Sequence, residues 1–149
     1  MRIPNYIENF DKWKEEFNFS IDIKIRFSET DMFGHVNNVS PFIYFEEARI
    51  AYLESIQKGS HEENDSIPIV ADLQCDYFNQ IYFGNTLKLF VKVDSVGKSS
   101  LDIHYMALNE KGTLCLTGRG TMVNFNPLTN KSVPINDEMK LKLLETKSS

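Results

Sequence analysis

Arg26-Phe27-Ser28-Glu29-Thr30-Asp31-Met32-Phe33-Gly34-His35-Val36-Asn37-Asn38 joins an alternating strand to an apolar helix. That junction decides the fold. On its N-terminal side Ile21, Ile23, Ile25 and Phe27 alternate with Asp22, Lys24, Arg26 and Ser28, giving a strand with one dry and one wet face. On its other side Pro41 opens a helix that runs to about Ile56. Proline suits a first turn because its missing N–H has no partner there, and Ser40 or Asn38 is placed to cap that end. Tyr44, Phe45, Ala48, Ala51, Tyr52 and Ile56 make a broad apolar stripe. Such a helix is roughly 25 Å long, enough to lie along a whole sheet.

Four more strand signals follow a polar loop at His61 to Ser66. Ile69, Ala71, Leu73, Cys75 and Tyr77 alternate in the first, and Leu87, Leu89, Val91 and Val93 in the second. Leu101, Ile103, Tyr105 and Ala107 alternate in the third. The last spans Thr113 to Phe125 and changes pattern near Gly118 and Gly120, where a bulge or bend is expected. Turns at Gly84-Asn85, Gly97-Lys98 and Asn109-Glu110-Lys111-Gly112 are too short for parallel crossovers, so neighbouring strands are antiparallel. Ahead of the first strand, Ile7, Phe10, Trp13 and Phe17 have helical spacing; near the end, Asn136 is placed to cap a helix from Asp137 to Leu144. These elements describe an α+β protein: one antiparallel sheet of about five strands around one long helix. A lone curved sheet leaves edges and an apolar flank, which a second copy would cover, so a homodimer or homotetramer is expected.

At 149 residues with a formal charge of −5, the chain is sized for a single core and lacks the basic balance of a nucleic-acid binder. No apolar run is long enough to span a bilayer and no signal pattern opens the chain, so neither membrane insertion nor export is expected. Cys75 and Cys115 sit inside strand patterns, as expected of buried reduced thiols in a cytoplasmic protein.

The junction concentrates chemistry. Asp31, three residues past the strand, is positioned to deprotonate water or to attack a carbonyl itself, with an Asx-turn as its structural alternative. Phe33 and the helix start are expected to bury it, which strengthens a carboxylate as a base. Gly34 permits positive φ or close approach of an acyl chain. The Asn38 N–H lies at the positive end of the helix dipole and suits a developing oxyanion, a contribution of roughly 3 kcal/mol in the transition state. His35 is a candidate proton-transfer group or, through a hydrogen bond, a loop positioner. Asn37 is assigned a substrate contact, with helix capping as its alternative. His61 and His104 have no supporting constellation, and no metal site is expected.

Taken together, Arg26 to Asp31, Gly34-His35-Val36-Asn37-Asn38, Tyr44-Phe45-Glu46-Glu47-Ala48-Arg49, Val70 to Tyr77, Val96-Gly97-Lys98-Ser99-Ser100 and Val123-Asn124-Phe125-Asn126 resemble the hotdog-fold acyl-CoA thioesterases, in particular the 4-hydroxybenzoyl-CoA thioesterase-like group. The resemblance covers residues 20–145, leaving 1–19 as an N-terminal extension with helical spacing and 146–149 as a tail. It implies a helix wrapped by the sheet, subunits joined sheet edge to sheet edge, and active sites at the dimer interface. Asp31 matches the family's catalytic aspartate, and the carbonyl-polarising N–H falls at Asn38, where some relatives carry histidine or tyrosine. It further implies that Lys98, Ser99 and Ser100 contact coenzyme A, and that Phe33, Tyr44 and Phe78 are candidates to line the acyl pocket. The expected activity is hydrolysis of an acyl-CoA thioester to a carboxylic acid and coenzyme A, with no metal or redox cofactor. Two alternatives stand beside it: a non-catalytic acyl-CoA or acyl-carrier binding module, and a hotdog hydratase or dehydratase.

Overall fold

The alternating stretches pair into one antiparallel sheet. The computed structural model describes residues 2–57 and 66–145. Its elements are α1 (Phe10–Glu15), β1 (Phe19–Lys24), a 3-10 turn (Phe27–Glu29), α2 (Ser40–Gln57), β2 (Ile67–Val70), β3 (Gln74–Tyr77), β4 (Thr86–Val96), β5 (Ser100–Leu108), β6 (Leu114–Asn126), β7 (Lys131–Ser132) and α3 (Asp137–Glu145). The sheet order is β1-β4-β5-β6-β2, with β3 and β7 also on β6. All pairings are antiparallel. This is the hotdog architecture. The tail at 146–149 and positions 61–65 of the polar loop lie outside the described residues.

Helix α2 lies in the hollow of the sheet because each supplies the apolar surface the other must bury. Tyr44, Phe45, Ala48 and Tyr52 are fully buried against Leu87, Leu89, Val91, Ile103, Tyr105 and Leu116. The Phe45 ring stacks on Tyr105 at 4.5 Å between centroids. It also lies on Gly118, where a Cβ would stand 2.6 Å from the ring. The glycine that marked a change of pattern in the sequence is thus a seat for the helix.

The structure revises several element boundaries. The single strand expected from Ile69 to Tyr77 is broken into β2 and β3. Pairing changes from Val70↔Met122 to Gln74↔Arg119, a one-residue slip across Ala71–Leu73. There the Asp72 carboxylate accepts from the Thr121 N–H at 2.8 Å, replacing a ladder bond, and the Asp72 carbonyl packs against Gly120. The irregularity expected near Gly118 and Gly120 thus lies in the strand paired to them, while β6 itself slips against β5 between Leu114 and Leu116. Phe27 leaves the strand for the 3-10 turn and is 77% exposed. The expected N-terminal helix contracts to Phe10–Glu15, capped by Asn9. Its Trp13, with Ile7 and Phe17, packs on Met106 over the outer face of the sheet.

Substituting Gly118→Ala forces a methyl into the Phe45 ring. Urea denaturation should show a loss of about 1–3 kcal/mol with an unchanged m-value.

Candidate active site

The junction is organised by one buried side chain, Glu29, that the sequence reading left without a role. Its Oε2 accepts from Arg26 Nε and Nη2 at 3.0 and 2.7 Å. Its Oε1 accepts from the Arg26 N–H and the Tyr44 hydroxyl, both at 2.9 Å. Its backbone carbonyl accepts from the Asn37 N–H at 2.9 Å and from Ser40 Oγ at 3.5 Å. One residue therefore ties the strand exit, the returning loop and the helix start together. Burial acts to raise the Glu29 pKa, but the bonds from Arg26 and Tyr44 outweigh it, so the group stays below its ordinary 4.5. The Tyr44 phenol is pushed well up by burial and then by the Glu29 carboxylate, and remains a donor.

The loop closes as a narrow hairpin. Thr30 bridges Val36, the Asp31 N–H donates to the His35 carbonyl at 2.7 Å, and the Val36 N–H donates to Ile81 at 2.7 Å. Gly34 turns the tip with φ +79°, the positive φ that glycine was expected to permit. At the helix start the cap is Asn37, its alternative role in the sequence, rather than Ser40 or Asn38: its Oδ1 accepts from the Val39 and Ser40 N–H groups at 3.0 and 2.8 Å. Between Val36 and Ser40 the N–H groups of Val36, Asn37, Val39 and Ser40 all have partners. Among the described residues the Asn38 N–H has none.

Asn38 lines a cleft of about 130 Å³ with Val36, Pro41, Tyr77, Phe78 and Leu116. The Tyr77 hydroxyl donates to the Asn38 carbonyl. Of the aromatic residues expected at an acyl pocket, only Phe78 lies here. Tyr44 is a core residue held by Glu29, and Phe33 is 74% exposed beside His35. The reason is directional: Tyr44 sits one turn inside α2 on the stripe facing the sheet.

Asp31 is exposed in the single chain rather than buried by Phe33 and the helix. Its Oδ1 accepts from the Phe33 and His35 N–H groups at 2.8 and 3.2 Å, an Asx-turn, while Oδ2 has no partner among the described residues. It stands outside the cleft that Asn38 lines. The Thr30–Val36 bridge puts Asp31 one residue towards the tip and Asn38 two residues away from it, about 10 Å of backbone. His35 orients the loop through its backbone, with its ring against Tyr82 at 5.0 Å.

Lys98, Ser99 and Ser100 sit at the opposite end of the sheet. Ser100 is seven residues along β5 from Ala107, the residue level with Leu116, or about 23 Å. The Lys98 and Ser99 carbonyls accept from Ile135 and Asn124 N–H groups at 2.8 Å each. One chain does not bring them to Asp31.

His104, read as isolated, lies in a network under the N-terminal segment. Trp13 Nε1–H donates to its Nδ1 at 2.8 Å, leaving Nε2 for Asp102 at 2.8 Å. Asp102 also holds Arg119, whose Nε is 3.0 Å away. Asp94, Asp102 and His104 bring three potential ligating atoms within 4.8 Å, in a cluster whose ring nitrogens both face protein partners. Both cysteines are free; Cys115 is buried and Cys75 only partly so.

Residues 25–143 match the thioesterase-like superfamily, and the chain belongs to that family. It is 45% identical over 148 residues to the uncharacterized protein YsmA of Bacillus subtilis (strain 168), covering 99% of this chain and 100% of that one. A predicted thioesterase from Bacillus stearothermophilus superposes with a TM-score of 0.77 at 30% identity, over 87% of this chain and 96% of the other. The DHNA-CoA thioesterase from Staphylococcus aureus gives a TM-score of 0.72 at 25% identity, over 85% and 86%. No helix among the described residues is long and apolar enough to cross a membrane.

Because the folded-state pKa of Glu29 is depressed, its contribution to stability is present above pH 4.5 and lost as pH falls through the lower folded value. Glu29→Gln should cost about 1–3 kcal/mol at pH 7. In urea titrations the gap from wild type should narrow as pH falls below that window.

Proposed function

We propose that this protein is an acyl-CoA thioesterase. The observation that carries the reading is the N–H of Asn38, without a partner among the described residues, two residues before an 18-residue helix and on the rim of a cleft. The N–H groups of Val36, Asn37, Val39 and Ser40 on either side of it are satisfied, so this one is left for a ligand oxygen. A thioester carbonyl accepting from it gains most as negative charge develops on that oxygen.

The hydrolytic step in this reading takes place in a site completed by a second copy, since one chain leaves Asp31 outside the cleft that Asn38 lines. Asp31 Oδ2 removes a proton from water as the water oxygen bonds to the carbonyl carbon. The electron pair of the C=O moves to the oxygen facing Asn38 N–H. Collapse re-forms the carbonyl and breaks the C–S bond, and coenzyme A leaves as a thiolate that takes up the proton. Direct attack by the same carboxylate breaks the C–S bond, releases the coenzyme A thiolate and gives an acyl anhydride, which water opens to the free acid and the regenerated carboxylate. A thiolate is a stable leaving group, so no separate general acid is required at His35.

A homodimer completes the site in this reading. β2 and β3 form a sheet edge exposing Ile67, Ile69, Val70 and Tyr77, while Val39 just before α2 and Ile43 and Ile50 on it are also exposed. A second copy on this edge covers apolar surface, shields Asp31 from bulk water and supplies the surface that one chain's Lys98–Ser100 cannot reach. A second reading, a non-catalytic acyl-CoA binder, is favoured by one fact: Asp31 is exposed and already caps a turn.

Steady-state thiol release across acyl-CoA substrates separates the two. Wild type should turn over at least one, Asp31→Asn should lose about 100-fold or more in kcat, and Asn38→Ala, which keeps the backbone N–H, should stay within about threefold. Binding without turnover supports the module instead, and wild-type kcat in Asp31→Asn contradicts the assigned roles. In sedimentation, Ile69→Lys should shift a wild-type dimer towards monomer.

A further inference from the structure

We infer that Tyr77 is a positioning residue of the oxyanion site, holding the Asn38 peptide so that its free N–H keeps one direction. This rests on the thioesterase reading above and adds to it a residue from a separate strand. Tyr77 is the last residue of β3, paired to Leu116, and lines the same cleft as Asn38.

The argument is one of peptide planes. The plane between Asn38 and Val39 is held at both ends, its C=O by the Tyr77 hydroxyl and its N–H by Asn37 Oδ1 at 3.0 Å. The plane between Val36 and Asn37 is held by the bond from the Asn37 N–H to Glu29 at 2.9 Å. The plane between them carries the free Asn38 N–H. Each plane is rigid, so its only soft motions are the dihedrals at Asn37 and Asn38. Fixing both flanking planes restricts those rotations; removing Tyr77 leaves the C-terminal one on a single bond. An oxyanion donor works by being aimed beforehand, and small misalignment is costly.

Tyr77 is suited to the role in a second respect. Its phenol is pushed up to about 12, first by burial and then by the neighbouring Cys75, so it remains a donor at any pH where a thioesterase would work. Its hydroxyl is committed to the carbonyl, so it holds the loop without itself meeting the substrate oxygen.

The test compares wild type with Tyr77→Phe, using the best substrate of an acetyl- to palmitoyl- and benzoyl-CoA panel. Two ligands serve as probes: a trifluoromethyl ketone analogue of that substrate, whose hydrate mimics the tetrahedral intermediate and ionises to place an oxyanion at the carbonyl position, and coenzyme A, which has no oxygen at that position. Tyr77→Phe should lower kcat about tenfold with KM within about twofold, weaken the ketone by the same factor and leave coenzyme A affinity and Tm unchanged. The inference is overturned by an unchanged kcat, or by a loss in which the ketone and coenzyme A weaken together, the mark of a merely structural residue. A wild type that releases no thiol from any substrate overturns the thioesterase reading and this inference with it; an active wild type with an indistinguishable variant overturns this inference alone.

Discussion

The Glu29 carboxylate is the constraint on which the site depends. A buried carboxylate is costly unless its lone pairs are filled, and here four donors fill them: the Arg26 N–H, two guanidinium N–H groups and the Tyr44 hydroxyl. Those donors come from the end of a strand and the second turn of the central helix. Once they converge, the chain between has little choice. The Glu29 carbonyl takes the Asn37 N–H, Asn37 caps the helix, and Asn38 is left with a donor that the fold does not use. A structural demand at one residue thus produces a chemical opening nine residues later.

Packing supports that opening from below. Phe45 lies flat between Tyr105 and Gly118 and fixes the depth of the helix in the sheet. Because the first turn of α2 cannot rise without lifting this ring, the loop at its start inherits the rigidity of the core. The outer face of the sheet is closed by a different device, a polar network of Trp13, His104, Asp102 and Arg119 beneath an apolar N-terminal segment. That covering leaves the β2–β3 edge and the exposed flank of α2 as the apolar surface nearest the cleft.

Much of this was legible from periodicity. Alternation located β4 and β5, the apolar stripe from Pro41 to about Ile56 located α2, and Asn136 caps the last helix through the Met139 N–H at 2.7 Å. What escaped was set by tertiary contacts that leave no periodic trace. The break between β2 and β3 depends on Asp72 replacing a ladder bond across from Gly120. Tyr44 has two readings, a member of the apolar stripe and an aromatic of the acyl pocket, and the burial of the stripe against the sheet decides for the first. Glu29 reads as a loop acid; only its i,i+3 relation to Arg26, combined with a tyrosine fifteen residues on, signals a buried hub. His104 seemed isolated because its partner Trp13 is 91 residues away. The placement of Lys98–Ser100 shows a further limit: the order of motifs along the chain does not give their distance in the fold, and one chain holds these residues at the far end of the sheet from the cleft.

The central claim is that one backbone N–H, and no side chain, stabilises the charge that develops on the thioester oxygen. Replacing the amide at residue 38 by an ester removes that hydrogen and little else. The account predicts a fall in kcat of about 100-fold with KM and thermal stability nearly retained. A full-rate enzyme carrying the ester would contradict it.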